Sequence, residues 1–162
     1  MKEKDINHLL ERIVEALERL SPPKRNNCNI ESADTYVWHP DEAWLEPIST
    51  VNKIDFSLLK GIDHQKSLLL NNSINFANGL PANNALLWGA RGTGKSSLIK
   101  SSHAEVNKQV SSALALIEIQ REDILSLPEL LTILRPSNRR FILYCDDLSF
   151  DKTDGSFKSL KV

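Results

Sequence analysis

The chain has 162 residues, 41% hydrophobic and 25% charged, with a formal net charge of −1. This is an ordinary globular composition, enough for one core or for a small core with an appendage. It argues against a strong electrostatic footprint for nucleic acid, no apolar run approaches a membrane span, and the charged start Met1-Lys2-Glu3-Lys4-Asp5 is unlike a secretion signal.

Residues 6–20 are predicted to form an amphipathic helix, an N-terminal extension spanning residues 1–20. Ile6, Leu9, Leu10, Ile13, Val14, Leu17 and Leu20 recur at helical spacing, and Glu11, Arg12, Glu15, Glu18 and Arg19 mark the other face. Ser21-Pro22-Pro23 stops it. The apolar stripe must bury against its own domain, against a protein partner, or against a second copy in a homo-oligomer.

Residues 21–55 read as an irregular connector, because Pro22, Pro23, Pro40 and Pro47 punctuate it together with Asn26, Asn27 and Asn29. Tyr36, Trp38 and Trp44 are expected to dock parts of it on a surface as core or groove filling, since no basic stripe accompanies them for base stacking. A partial nucleotide-binding domain is expected over residues 56–162. It opens with a turn at Gly61 and a helix from Asp63, a candidate N-cap, to Ala77, ended by Asn78-Gly79 and blocked by Pro81.

Ala85-Leu86-Leu87-Trp88 is a short apolar run of the kind a buried parallel strand shows. Directly after it stands Gly89-Ala90-Arg91-Gly92-Thr93-Gly94-Lys95-Ser96, with Ser97 continuing into a helix to about Val106. This is G-x-x-x-x-G-K-[ST], the phosphate-binding loop of P-loop nucleotidases. Its fixed positions occur by accident in about one chain of this size in two hundred, and the strand–loop–helix context makes the match stronger. The glycines let backbone N–H groups approach phosphate oxygens. Lys95 carries a point charge to the β- and γ-phosphates, Ser96 offers a hydroxyl to Mg²⁺, and the helix N-terminus faces the anion.

Leu114, Leu116, Ile117 and Ile119 read as the next strand, and Glu122-Asp123-Ile124 opens a helix reaching Leu134, with Pro128 tolerated near its start. Arg135, Arg139 and Arg140 read as a solvated helix end and strand start. Phe141-Ile142-Leu143-Tyr144-Cys145 then ends in Asp146-Asp147, the pattern of a Walker B strand that delivers carboxylates at its C-terminal edge. Asp146 is assigned to Mg²⁺, directly or through water, and Asp147 to the attacking water. Cys28 and Cys145 lack metal-ligand spacing, which suits a reducing cytoplasm. The histidines His8, His39, His64 and His103 show no metal spacing either and are expected at the surface or at caps. The alternation of elements predicts an α/β fold with a parallel sheet.

The stretches Gly61–Lys66, Gly79–Ser97 and Asp146-Asp147-Leu148-Ser149-Phe150 resemble the uncharacterised bacterial AAA+-type ATP-binding family, over about residues 35–162. The resemblance implies an AAA+-like P-loop NTPase core with ATP as ligand and Mg²⁺ as cofactor, and it places Gly61 and Ile62 beside adenine. It also implies that the complete form is an ATPase coupling hydrolysis to the remodelling of a partner. AAA+ proteins mostly carry Asp-Glu where this chain has Asp146-Asp147, one methylene shorter. The resemblance further implies a core incomplete at its C-terminus, with a gap between the P-loop strand and the Walker B strand, and slow turnover without an arginine finger. The alternatives are a non-catalytic nucleotide-binding or interaction fragment and, lacking an arginine-rich acceptor lid, a small-molecule kinase.

Overall fold

Tyr36 and Trp38 are almost fully buried in the middle of the sheet. The computed structural model describes residues 3–20, 30–50, 54–110, 114–146 and 148. Within them, Thr35–His39 forms β1 and Trp44–Pro47 forms β2, joined antiparallel with His39 opposite Trp44. The expectation of an irregular connector is therefore corrected for this part. Thr-Tyr-Val-Trp-His is β-branched and aromatic, which suits a pleated, buried surface. Neither proline interrupts a strand: Pro40 opens the turn of the hairpin, its carbonyl accepting from Ala43 N at 3.0 Å, and Pro47 ends the edge strand β2.

The remaining strands are β3, Leu114–Ile119, and β4, Arg140–Cys145. The sheet order is β2-β1-β3-β4. β1 and β4 both run parallel to β3, while β2 is antiparallel, so the sheet is mixed and mostly parallel rather than wholly parallel. β3 is central and apolar on both faces apart from Glu118, as a strand covered on both sides should be.

The helices are α1 (Glu3–Leu20), α2 (Asp63–Ala77), α3 (Lys95–Gln109) and α4 (Leu127–Leu134). α2 packs on α3, and α3 on β3. On the opposite face, Leu127, Leu130 and Leu134 of α4 close a core with Tyr36, Trp38, Leu45, Ala115, Ile117 and Ile119. Trp38 Nε1 donates to Ser126 Oγ at 2.6 Å, so its polar end is satisfied as a buried indole requires. α4 is shorter than expected because its first part, Arg121–Ser126, winds as a 3₁₀ helix. Ile62 takes the N-cap position of α2 and Asp63 begins the helix.

Two expected placements differ. Residues 85–88 form no strand: Leu86 is 68% and Trp88 87% exposed. A strand exists only where another strand takes its backbone groups, and among the described residues none lies alongside this run. The approach to it is held instead by Asn72 of α2, whose Nδ2 donates to Asn83 O at 2.7 Å and whose Oδ1 accepts from Asn83 N at 2.9 Å. The α1 stripe, in turn, does not pack on the domain, since Ile6, Leu9, Leu10, Ile13, Val14 and Leu17 stand 40–58% exposed. Among the described residues no helix is long and apolar enough to cross a membrane.

Candidate functional site

Residues 89–94 form a turn that ends where α3 begins. Gly94 stands at the N-cap of α3 with φ 85°, a left-handed conformation that side chains rarely adopt. Nothing lies within 4 Å of where a Cβ would stand, so the backbone angle rather than crowding calls for glycine. Gly92 repeats this at φ 81°. No side chain caps α3, which leaves its first-turn N–H groups without intrahelical acceptors. Thr93 Oγ1 donates to Ala90 O at 2.8 Å and braces the turn. Lys95 Nζ donates to Gly89 O at 3.0 Å and to Ala90 O at 2.9 Å. The ammonium is thus folded across its own loop, while Arg91 stands exposed beside it and Ser97 is half-buried in the first turn of α3.

The Ser96 hydroxyl donates to Asp146 Oδ2 at 2.6 Å. This contact spans 50 positions of sequence and joins the start of α3 to the C-terminal end of β4. The run 85–88 is not a strand of that sheet, yet the two motifs meet. The oxygen pair suits a hard cation. Two adjacent ligands of octahedral Mg²⁺, each at about 2.0–2.1 Å, lie about 2.9 Å apart, a few tenths of an ångström wider than the pair stands. Asp147 lies outside the described residues, as do Ser149 and Phe150. Among the described residues no group of three His, Cys, Asp or Glu side chains is placed to hold a metal.

Sequence reasoning passed over Tyr144. It is 6% exposed, and its hydroxyl has no hydrogen-bond partner among the described residues. Such a buried, unsatisfied hydroxyl costs about 1–3 kcal/mol. Burial pushes its phenol above the ordinary range, and hydrogen-bonding approach to Ser96, which lowers its pKa, and to Asp146, which raises it, acts on it too, at a geometry short of a formed hydrogen bond. Burial also pushes the Cys145 thiol up to about 11, so it stays protonated at neutral pH and is no nucleophile.

Gly61 turns with φ 76° just ahead of α2, and the carbonyl of the half-buried Ile62 accepts from Lys66 N at 2.9 Å. Lys66 Nζ reaches back to Leu59 O at 2.9 Å and lies 4.8 Å above the Phe56 ring. Through α2 and α3 this segment shares a layer with the loop.

Away from this end, an open depression of about 620 Å³ is lined by Ala33, Asp34, Ala77, Asn138 and Arg140 among others. It lies where the parallel strands begin, opposite Asp146. Arg139, expected in solvent, is only 9% exposed there. Its guanidinium pairs with Asp34 and donates to Ala33 O at 2.5 Å and Leu114 O at 3.2 Å. His103 is likewise buried rather than at the surface, with Nε2 3.1 Å from Leu114 O. Arg139 ties residues at the strand starts together, and His103 ties α3 to the start of β3.

A family model described as "Protein of unknown function (DUF815)" matches residues 31–162, which leaves α1 outside it. No curated protein and no solved structure matches the chain.

Proposed function

The chain belongs to the DUF815 family, and for it we propose an ATP-binding module of the P-loop type, AAA+-like in its core. The observation that carries the reading is the 2.6 Å contact between Ser96 and Asp146. Two motifs, each assigned to the same Mg²⁺ on sequence grounds, have their oxygens side by side.

The roles follow from the residues. Residues 89–94 wrap the phosphates with backbone N–H groups, and the uncapped start of α3 adds its positive end. Lys95 exchanges its two carbonyl acceptors for the β- and γ-phosphate oxygens. Ser96 and Asp146 hold the cation, which when bound neutralises charge on the terminal phosphates. Gly61 and Ile62 are assigned to the adenine side by resemblance. Asp147, next to Asp146 in sequence, is assigned to orienting water if the complete protein hydrolyses ATP and couples that to a partner.

A non-catalytic reading has its own support. The run 85–88, which leads into the loop, is outside the sheet, so the loop is held by α3 and Asp146 rather than by a strand. Such a module binds nucleotide without aligning a nucleophile.

Equilibrium titration with fluorescent ATP, with and without Mg²⁺, tests the binding claim. Lys95→Ala is expected to weaken binding at least tenfold by removing a charge-assisted contact. Equal affinity of Lys95→Ala and the parent chain would end the proposal.

A further inference from the structure

Tyr144 lies in β4, and Asp146 follows directly after the last residue of that strand, Cys145. The Ser96 and Asp146 side chains both act on the Tyr144 hydroxyl. The β3 partner of Tyr144 is Glu118, which is held by Lys100 of α3 at 3.0 Å. The phenol is more than nine-tenths buried, and its hydroxyl is one of two buried side-chain oxygens without a partner among the described residues, the other being Ser102 Oγ. Proteins rarely leave such a group unpaired, and an exception asks for a reason. A core position needing only an aromatic ring would be filled at no such cost by phenylalanine.

Asp146 supplies the reason. A carboxylate accepts at two oxygens with about four lone-pair positions, whereas a phenol has one hydrogen to give. Ser96 donates to Oδ2, and one carboxylate can accept from several donors at once. We propose that Tyr144 is a positioning residue for the divalent cation of a bound nucleotide, its hydroxyl donating to the Asp146 carboxylate so that the carboxylate faces the ion. This rests on the ATP-binding reading above and adds to it a residue that touches neither nucleotide nor metal. The contact closes when the carboxylate settles on the cation or its water, so the cost of the unpaired hydroxyl is carried by the free protein and relieved in the loaded one.

The experiment is a thermal-shift and titration series on the parent chain, Tyr144→Phe, Asp146→Asn and the double variant. It uses ATP with EDTA and ATP over a range of Mg²⁺ concentrations. Tyr144→Phe keeps the ring and removes one oxygen. The expected result is an unchanged or raised melting temperature of the free protein, unchanged ATP affinity in EDTA, and about a tenfold rise in the Mg²⁺ concentration needed for half-maximal stabilisation, the low end of the effects known for residues that orient metal ligands. Adding Tyr144→Phe to Asp146→Asn is expected to produce no further rise, because the hydroxyl acts through that carboxylate. An unchanged Mg²⁺ requirement in Tyr144→Phe, or equal and additive losses with and without Mg²⁺, overturns the positioning role while leaving ATP binding intact. A parent chain that binds no ATP overturns both.

Discussion

Asn107 and Leu114 meet in a two-way clamp: Asn107 Nδ2 donates to Leu114 O at 2.9 Å, and its Oδ1 accepts from Leu114 N at 3.1 Å. The amide near the end of α3 thereby satisfies both backbone groups of the first residue of β3, which is fully buried. Arg139 and His103 also reach the same carbonyl. Asn107→Ala removes both halves of the clamp and should cost about 1–3 kcal/mol. Urea denaturation would measure this as a lower midpoint with an unchanged slope. Because α3 carries Lys95 and Ser96 at its other end, the variant also tests whether the loop is steadied from far along the helix.

Two of the three tryptophans should behave very differently. Trp38 lies in the core and Trp88 is among the most exposed side chains. Trp38→Ala should destabilise the fold by about 3–5 kcal/mol, whereas Trp88→Ala should stay within about 0.5 kcal/mol of the parent. Iodide quenching supplies an independent check, because loss of Trp88 should remove a strongly quenched component of the fluorescence. A large stability loss on replacing Trp88 would mean that residues 85–88 are packed after all.

Gly94→Ala forces a side chain into the left-handed region. We expect a loss of about 1–2 kcal/mol in stability together with weaker ATP binding, read from the same titrations. Gly61 also has φ above +70° and open space around it. Its alanine variant should show the stability cost with a smaller effect on phosphate affinity, which separates backbone strain from damage to the anion cradle.

Tyr144 gives a pH dependence of definite sign. Burial raises its phenol above the reference value of 10.0, so in alkali the unfolded chain loses this proton first. The contribution of the neutral phenol is complete below that pH and is lost as the pH climbs toward the folded value. The parent should therefore lose stability more steeply than Tyr144→Phe as the pH is raised from 9 to 11, as urea midpoints would record. Parallel curves for the two chains would contradict a raised phenol pKa.

Much of the fold was legible because some signals are local. The bounds of α2 come from Gly61, Asn78 and Gly79, and β3 follows from a mostly apolar run. Thr35–His39 was open to the same reading, since its residue types favour a strand, but neighbouring prolines suggested a connector when they only form the hairpin's turn and its end. Ala85–Trp88 failed for the opposite reason. Its composition suits a strand, yet pairing depends on a neighbour that no single segment can declare. The pairing of Ser96 with Asp146 could be anticipated from two motifs of known geometry. The burial of Arg139 could not, because its acceptors lie on Ala33 and Asp34, about a hundred positions upstream. Tyr144 was legible as an apolar strand residue, whereas the fate of its one polar atom depends on tertiary packing.

The Lys95 ammonium rests on two carbonyl oxygens of its own loop. Those acceptors are dipoles, so they keep the cation in place without discharging it. A polyanion arriving there trades dipoles for formal charges near the protein surface, where dissolved electrolyte competes over a range of about 10 Å at 0.1 M. Loading of the loop should therefore weaken steadily as ionic strength rises, while the mostly apolar sheet beneath it stays intact.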